Sequence, residues 1–169
     1  VSATPALSWT TSTLISSGAA GQFSTIAIDS DDKIHMAYYA NYGSGDIGLR
    51  YYTNVSGSWV EEDVDTDGVS ESISIAVDSD GGVHISYYST NGYNLKYAYK
   101  DSSWNREIVD YSGTMGQYNA LAVDSSNSKV HIVYGDITNG SLKYATSTIG
   151  TEVWSKAVID SSTTGQVHS

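Results

Sequence analysis

The segment Ile26-Ala-Ile-Asp29-Ser returns as Ile75-Ala-Val-Asp78-Ser and again as Leu121-Ala-Val-Asp124-Ser. This self-similarity constrains the fold more than any other property of the 169-residue chain. Six or seven residues after each Asp stands a histidine (His35, His84, His131), followed by an apolar and aromatic run such as Ile85-Ser-Tyr-Tyr88. Next come Leu49-Arg-Tyr51, Leu95-Lys-Tyr97 and Leu142-Lys-Tyr144, and then a tryptophan: Trp59, Trp104, Trp154. The spacing is 49 and then 46 residues from Asp to Asp, and 49 and then 47 from His to His. A near-constant period with variation at the turns marks duplicated supersecondary units.

Each unit parses into four strands. Strand a ends on the recurrent Asp, at 25–29, 74–78 and 120–124. A tight turn rich in Asp, Asn, Gly and Ser follows, residue types that tolerate positive φ or bond their own backbone. Strand b carries the histidine and the tyrosines, strand c is the Leu-(Lys/Arg)-Tyr segment, and strand d runs from the tryptophan to Asp65, Asp110 or Asp160. Tyrosine and β-branched residues favour strands, and no stretch shows helical period. Four short antiparallel strands in a unit of this length predict an all-β fold of β-propeller blades. An immunoglobulin-like sandwich needs about 100 residues for one unit, and solenoid repeats are usually shorter or helical.

The unit resembles the blade of bacterial and archaeal extracellular propellers with an I-A-V-D-S-x-G-x-V-H-I-S-Y-Y … L-K-Y-A … W … V-D consensus. It stands here as Ile75-Ala-Val-Asp-Ser-Asp-Gly-Gly-Val-His-Ile-Ser-Tyr-Tyr88, Leu95-Lys-Tyr-Ala98, Trp104 and Val109-Asp110. The a-to-b segment is also similar to that of NHL-type repeats. The resemblance covers nearly the whole chain; it implies the fold and says little about activity.

The phase of the repeat gives the expected organisation. Trp9 with Leu14-Ile15-Ser-Ser-Gly18 matches strand d alone, and Gly165-Gln166 matches the lead-in to strand a. The expected segments are a lone strand d in 1–21, blades at 22–70, 71–116 and 117–165, and the start of a next blade at 166–169. Three blades do not close a ring, since propellers use about four to eight. The two outer faces are then expected to need cover, either from further blades of a longer chain or from identical copies completing the ring.

Composition narrows the function. With 8 Lys+Arg against 19 Asp+Glu the formal charge is −11, which disfavours phosphate backbones and therefore nucleic acid. There is no cysteine, hence no disulfide and no thiolate chemistry. No run of about 18 apolar residues suggests membrane insertion. The acidic run from Glu61 to Glu71 reads as a solvated edge, with a cation patch as its alternative. An acidic, Cys-free, Ser/Thr/Tyr-rich β chain leans towards an extracellular or cell-surface location, where the sequons at Asn54 and Asn139 would be open to glycosylation.

Few residues suggest chemistry. His35, His84 and His131 lie on strand b, too far apart on neighbouring blades to converge on a metal, and are expected to be blade-core groups bonded to a neighbouring strand. His168 lies outside the repeated units. Asp29, Asp78 and Asp124 are expected to accept N–H bonds from the turn that follows. Asp29 with Asp31 and Asp32, and Asp78 with Asp80, are weak calcium candidates, because the third copy has lost the extra carboxylates. No other metal or cofactor is implied. Trp9, Trp59, Trp104 and Trp154 share one phase and read as packing between blades. Tyr42 and Tyr93 in the b–c loops are sugar-platform candidates, with Asn41, Asp46, Asn91, Asn94, Asp136 and Asn139 as hydroxyl partners. Only Arg50 and Arg106 exist, too few for the arginine cluster of sialidases, and the turns lack the Asp-box pattern. No catalytic residue stands out. The expected function is a non-catalytic binding or assembly module. A multivalent propeller lectin is the alternative, and a fragment of a glycan-processing enzyme the second alternative.

Overall fold

The computed structural model describes residues 8–161, leaving aside the side chains of residues 69–71. Among these residues it contains twelve strands and no helix, and therefore no helix that would cross a membrane. The first sheet comprises β1 (Ala19–Ile28), β2 (Ile34–Gly43), β3 (Asp46–Thr53) and β4 (Val60–Asp65). The second comprises β5 (Val69–Val77), β6 (Val83–Ser89), β7 (Asn94–Lys100) and β8 (Trp104–Asp110). The third comprises β9 (Met115–Asp124), β10 (Lys129–Asp136), β11 (Ser141–Thr148) and β12 (Ser155–Asp160). Each is an antiparallel meander in sequence order. The first strands lie innermost, β1 beside β5 and β5 beside β9, and the sheets stack face to face outward from them. These are three four-stranded blades of an open β-propeller ring, called I, II and III below.

Period-two alternation places the cores between blades. Ala37, Leu49, Tyr51 and Val64 of blade I pack against Ile75, Ile85, Tyr87 and Ala98 of blade II. Leu95, Tyr97 and Val109 on the opposite face of blade II pack against Met115, Val130, Ile132 and Tyr134 of blade III. The middle blade is therefore covered on both faces and every residue of β6 is buried, whereas every residue of β12 is exposed.

Two irregularities recur and aim side chains. Each fourth strand carries a bulge one residue before its last Asp, so that Leu49 pairs with Asp65 while Arg50 pairs with Asp63. Without the extra residue Asp65 would share the face of Asp63; with it, Asp65 turns towards blade II. The same shift occurs at Leu95/Lys96 and at Leu142/Lys143. Each first strand is also irregular, with Phe23, Ser72 and Tyr118 at positive φ. These breaks hide the period, so strand a extends further towards the N-terminus than 25–29, 74–78 and 120–124. The blade sheets begin at Ala19, Val69 and Met115, two to three residues ahead of the expected boundaries.

Residues 8–18 pair with no sheet, so the segment expected as a lone strand d is not a strand here. A strand is made by its ladder, and the three strands of the blade it would complete are not in this sequence. The segment nonetheless lies beside the outer face of blade I, where Leu14 and Ile15 line a hollow with Met36, Tyr38 and Tyr52 and the Tyr52 hydroxyl reaches the Leu14 carbonyl. The expected start of a next blade at 166–169, with His168, lies outside the described residues.

Candidate functional site

Each blade carries one polar relay. In blade I, Asp29 Oδ1 accepts the N–H groups of Asp31 and Lys33 at 2.9 and 2.8 Å, closing the a–b turn. Asp29 Oδ2 lies 3.1 Å from His35 Nε2, and His35 Nδ1 lies 2.6 Å from the Tyr51 hydroxyl. Asp78, His84 and Tyr97 repeat this with the same 3.1 and 2.6 Å distances. In blade III the His131–Tyr144 bond remains at 2.6 Å, while Asp124 instead holds Ser126 and Asn127 of its own turn.

The environment fixes the protonation of the blade II relay. Burial lowers the His84 pKa, and the Asp78 carboxylate only partly opposes this. Burial works against the Asp78 carboxylate, but hydrogen bonds from His84 and the Gly82 and Asp80 amides hold its pKa below the ordinary value. Burial pushes the Tyr97 phenol up. A neutral imidazole therefore donates from Nε2 to Asp78 and accepts a hydrogen bond from the Tyr97 hydroxyl at Nδ1. Both carboxylate oxygens of Asp29 and of Asp78 are engaged, and Asp31 and Asp80 contribute backbone N–H groups to the same turns. Among the described residues no three His, Asp or Glu side chains converge as metal ligands.

A second set of contacts joins the blades. Asp65 accepts hydrogen bonds from Tyr87 at 2.7 Å and Lys96 at 3.1 Å. Asp110 accepts them from Tyr134 at 2.7 Å and Lys143 at 2.6 Å. Trp104 Nε1 donates to Glu62 at 3.0 Å, and Trp154 Nε1 donates to Glu107 at 2.8 Å. Each indole meets a tyrosine of the preceding blade edge-on, Tyr51 at 5.2 Å and Tyr97 at 5.3 Å. Trp59 and Trp9 have no preceding blade in this sequence to pack on. Trp59 stacks on Tyr52 of its own blade at 5.1 Å, and Trp9 is 89% exposed. The acidic run is thus not a plain solvated edge. Glu62 and Asp65 clamp blade II, Asp63 pairs with Arg50, and Asp67 pairs with Lys96 and Asn91.

A groove of about 360 Å³ lies between blades I and II, at the end bearing the a–b and c–d turns. Tyr51, Thr53, Val55, Glu62, Lys100 and Asp101 line it. Lys100 Nζ lies 2.5 and 2.6 Å from the Glu62 oxygens, 5.4 Å over the Tyr51 ring and 5.8 Å from the Trp104 ring. The exposed lining of the groove is Val55, Val60 and the partly exposed Glu62–Lys100 pair, while Tyr51 is buried beneath them, which suits a small amphiphilic ligand. A polar hollow of about 370 Å³ lined by Asp65, Asp67, Lys96 and Arg106 has no aromatic wall, and Lys96 already joins both aspartates.

The loop residues favoured from sequence lie at the opposite end of the blades, on the b–c connections. Tyr42 is half-buried, donates to Glu61 at 2.5 Å and lies under the Arg50 guanidinium, 5.6 Å from its ring. Tyr93 is 59% exposed at φ +58°. Asn91 donates to Asp67, Asn139 closes on Asp136 at 2.9 Å, Asn41 accepts from Gly43, and Asp46 pairs with Arg50. Asn94 begins β7, half-buried. These residues are distributed over three blades and do not converge. The groove residues Glu62, Lys100 and Asp101 escaped sequence reasoning. One signal was available: a glutamate stands three residues after Trp59 and again after Trp104, and is replaced by Ala157 after Trp154.

No family model and no curated protein matches the sequence. Among solved structures the chain is similar to a fucose lectin from Kordia zhangzhouensis, determined in complex with methyl-fucoside. That match has 16% identity and a TM-score of 0.53, over 79% of this chain and 96% of the lectin. It is similar to a triple arginine-to-alanine mutant of AofleA from Arthrobotrys oligospora, with 14% identity and a TM-score of 0.58, over 88% of this chain and 46% of that one. A protein of unknown function from Dyadobacter fermentans matches with 12% identity and a TM-score of 0.57, over 84% of this chain and 42% of that one. The chain thus spans less than half the length of the latter two. At these identities the likeness is one of fold.

Proposed function

We propose that the chain is a non-catalytic β-propeller module of an extracellular or cell-surface protein, and that it binds carbohydrate in the groove between blades I and II. The observation that carries this reading is the groove itself, where the exposed Val55 and Val60 share the lining with the Glu62–Lys100 pair and Asp101. A sugar ring offers an apolar face for an aliphatic wall and hydroxyls for charged partners, and each charge-assisted bond is stronger than a neutral one. The fold shared with a fucose lectin supports the reading without supplying a ligand.

The relay speaks against catalysis. A nucleophilic or general-base phenol needs a lowered pKa, and burial raises that of Tyr51. The Asp–His–Tyr pattern also recurs in blade II as a link between turn and strands, which is the signature of a structural element. The outer faces of blades I and III, which expose Ile26, Ile28 and Ile159, are covered in this reading by further blades of the same chain or by identical copies.

A glycan array with the purified chain tests the proposal. Binding that falls at least tenfold in Lys100→Met and persists in Tyr93→Ala supports the groove. Loss in Tyr93→Ala alone moves the site to the b–c loops, and silence across the array removes the carbohydrate reading.

A further inference from the structure

The two inter-blade junctions hold the same aromatic pocket but treat it differently. At the I–II junction, Tyr51, Trp104 and Glu62 surround the ammonium of Lys100. Lys100 stands opposite Val83 on the β6–β7 ladder, and the corresponding place opposite Val130 in blade III is Ser147. That serine is directed elsewhere, towards Thr151 and the Val153 carbonyl. At the II–III junction, Tyr97, Trp154 and Glu107 therefore repeat the pocket without its cation.

Glu107 shows the consequence. It is 8% exposed, its Oε2 accepts the Trp154 indole N–H, and its Oε1 is buried with no hydrogen-bond partner. A buried carboxylate oxygen left unpaired is destabilising, so the site favours a cation donor. Tyr99 adds a third ring, stacked on Tyr97 at 5.8 Å, where blade I has Thr53. It reaches across to the turn at Gly150 and covers the pocket from outside. Burial, with Glu152 nearby as a further carboxylate, pushes the Glu107 pKa up, as expected of an acid lacking its counter-charge.

We propose that the II–III junction is a binding site for a primary alkylammonium group, the ε-ammonium of a lysine presented by a partner protein, held by Glu107 and the rings of Tyr97, Tyr99 and Trp154. Lys100 supplies the template: the same three groups hold an alkylammonium one junction earlier, by an ion pair and two cation–π contacts. Tyr99, partly exposed at the rim, swings aside to admit the ligand. The site is independent of the carbohydrate groove, which lies at the other junction.

The test uses n-butylammonium, which reproduces the lysine side chain, with n-butanol as the neutral isostere, titrated calorimetrically into the intact chain. Saturable binding of n-butylammonium with at least tenfold preference over n-butanol is expected. Glu107→Gln, which keeps an acceptor for the indole, is expected to weaken it at least tenfold. Ser147→Lys supplies the missing ammonium from within, and is expected to abolish binding and raise the thermal midpoint. A lysine-containing peptide competing with n-butylammonium assigns the source to protein, whereas failure of the peptide with retained n-butylammonium binding overturns the partner assignment. No saturable binding, equal binding of n-butanol, or undiminished binding in folded Ser147→Lys overturns the site.

Discussion

Replacing Asp110 by asparagine is expected to loosen blade III from blade II, and the structure sets the size of the effect. Asp110 is 2% exposed. Its Oδ2 accepts from Lys143 at 2.6 Å and Tyr134 at 2.7 Å, and its Oδ1 from the Ser112 hydroxyl at 2.9 Å. Burial alone would raise its pKa, but these bonds outweigh it and hold the group at about 2 against an ordinary 3.8. A gap of just under two pH units corresponds to about 2 kcal/mol at about 1.36 kcal/mol per unit. The asparagine side chain imitates the neutral carboxyl, so about 2 kcal/mol is lost at pH 7. The loss rises towards 3–5 kcal/mol if Lys143 finds no other partner. With a urea m-value of about 2 kcal/mol/M the unfolding midpoint falls by about 1 M or more. The sign with pH follows from the depressed pKa: the contribution is complete above about 4 and is lost as pH falls through about 2. The gap between wild type and Asp110→Asn therefore shrinks to roughly 0.5 kcal/mol at pH 2. Lys143→Met combined with Asp110→Asn costs less than the sum of the two, since they share one interaction. Urea titrations at pH 7, 4 and 2 check this. A loss below about 1 kcal/mol at pH 7, or a gap unchanged between pH 4 and 2, would refute the clamp.

Three other outcomes follow from the same geometry. His84 has its pKa held below 6.5 by burial, so its contribution is full above pH 6.5 and fades as pH falls towards its folded value; the pH dependence of the urea midpoint in that window flattens in His84→Gln. Gly116 has φ +100° and its added Cβ would meet the Leu95 Cα at 2.8 Å, so Gly116→Ala strains both backbone and junction and costs at least about 1 kcal/mol, read as a drop in thermal midpoint. Tyr87→Phe removes the buried hydroxyl that reaches Asp65 and costs about 1–2 kcal/mol, whereas Tyr93→Phe on the exposed loop leaves the midpoint within about 0.5 kcal/mol.

The blades were legible because duplication exposes the period directly: the Asp-to-His turn, the Leu-Lys-Tyr strand and the tryptophan each occur three times at one phase. Strand d was bounded almost to the residue, since Trp104 and Asp110 both mark it and both face a neighbouring blade. Strand a was drawn too short because bulges at Phe23, Ser72 and Tyr118 break the alternation that announces a strand. The groove was not legible, because it forms between two copies. Glu62 and Lys100 lie 38 residues apart and meet only when blade II stacks on blade I. The difference between the junctions rests on single substitutions, Thr53 against Tyr99 and Lys100 against Ser147, which look like neutral drift in a repeat until the copies are superposed. The loop tyrosines drew notice for exposure alone; in the fold Tyr42 is tied to Glu61 and Arg50, and Tyr93 stands at the end of the blades remote from the groove.

The indole N–H resonances give the most direct test of the proposed function. Trp104 donates to Glu62 beside the groove, while Trp154 donates to Glu107 at the other junction, Trp59 stacks on Tyr52 and Trp9 is exposed. Titration of the glycan selected on the array, followed by NMR with each signal assigned by Trp→Phe substitution, is predicted to move the Trp104 indole resonance saturably and leave that of Trp154 in place. A Trp104 resonance that stays fixed while the glycan binds would contradict the inter-blade groove as the carbohydrate site.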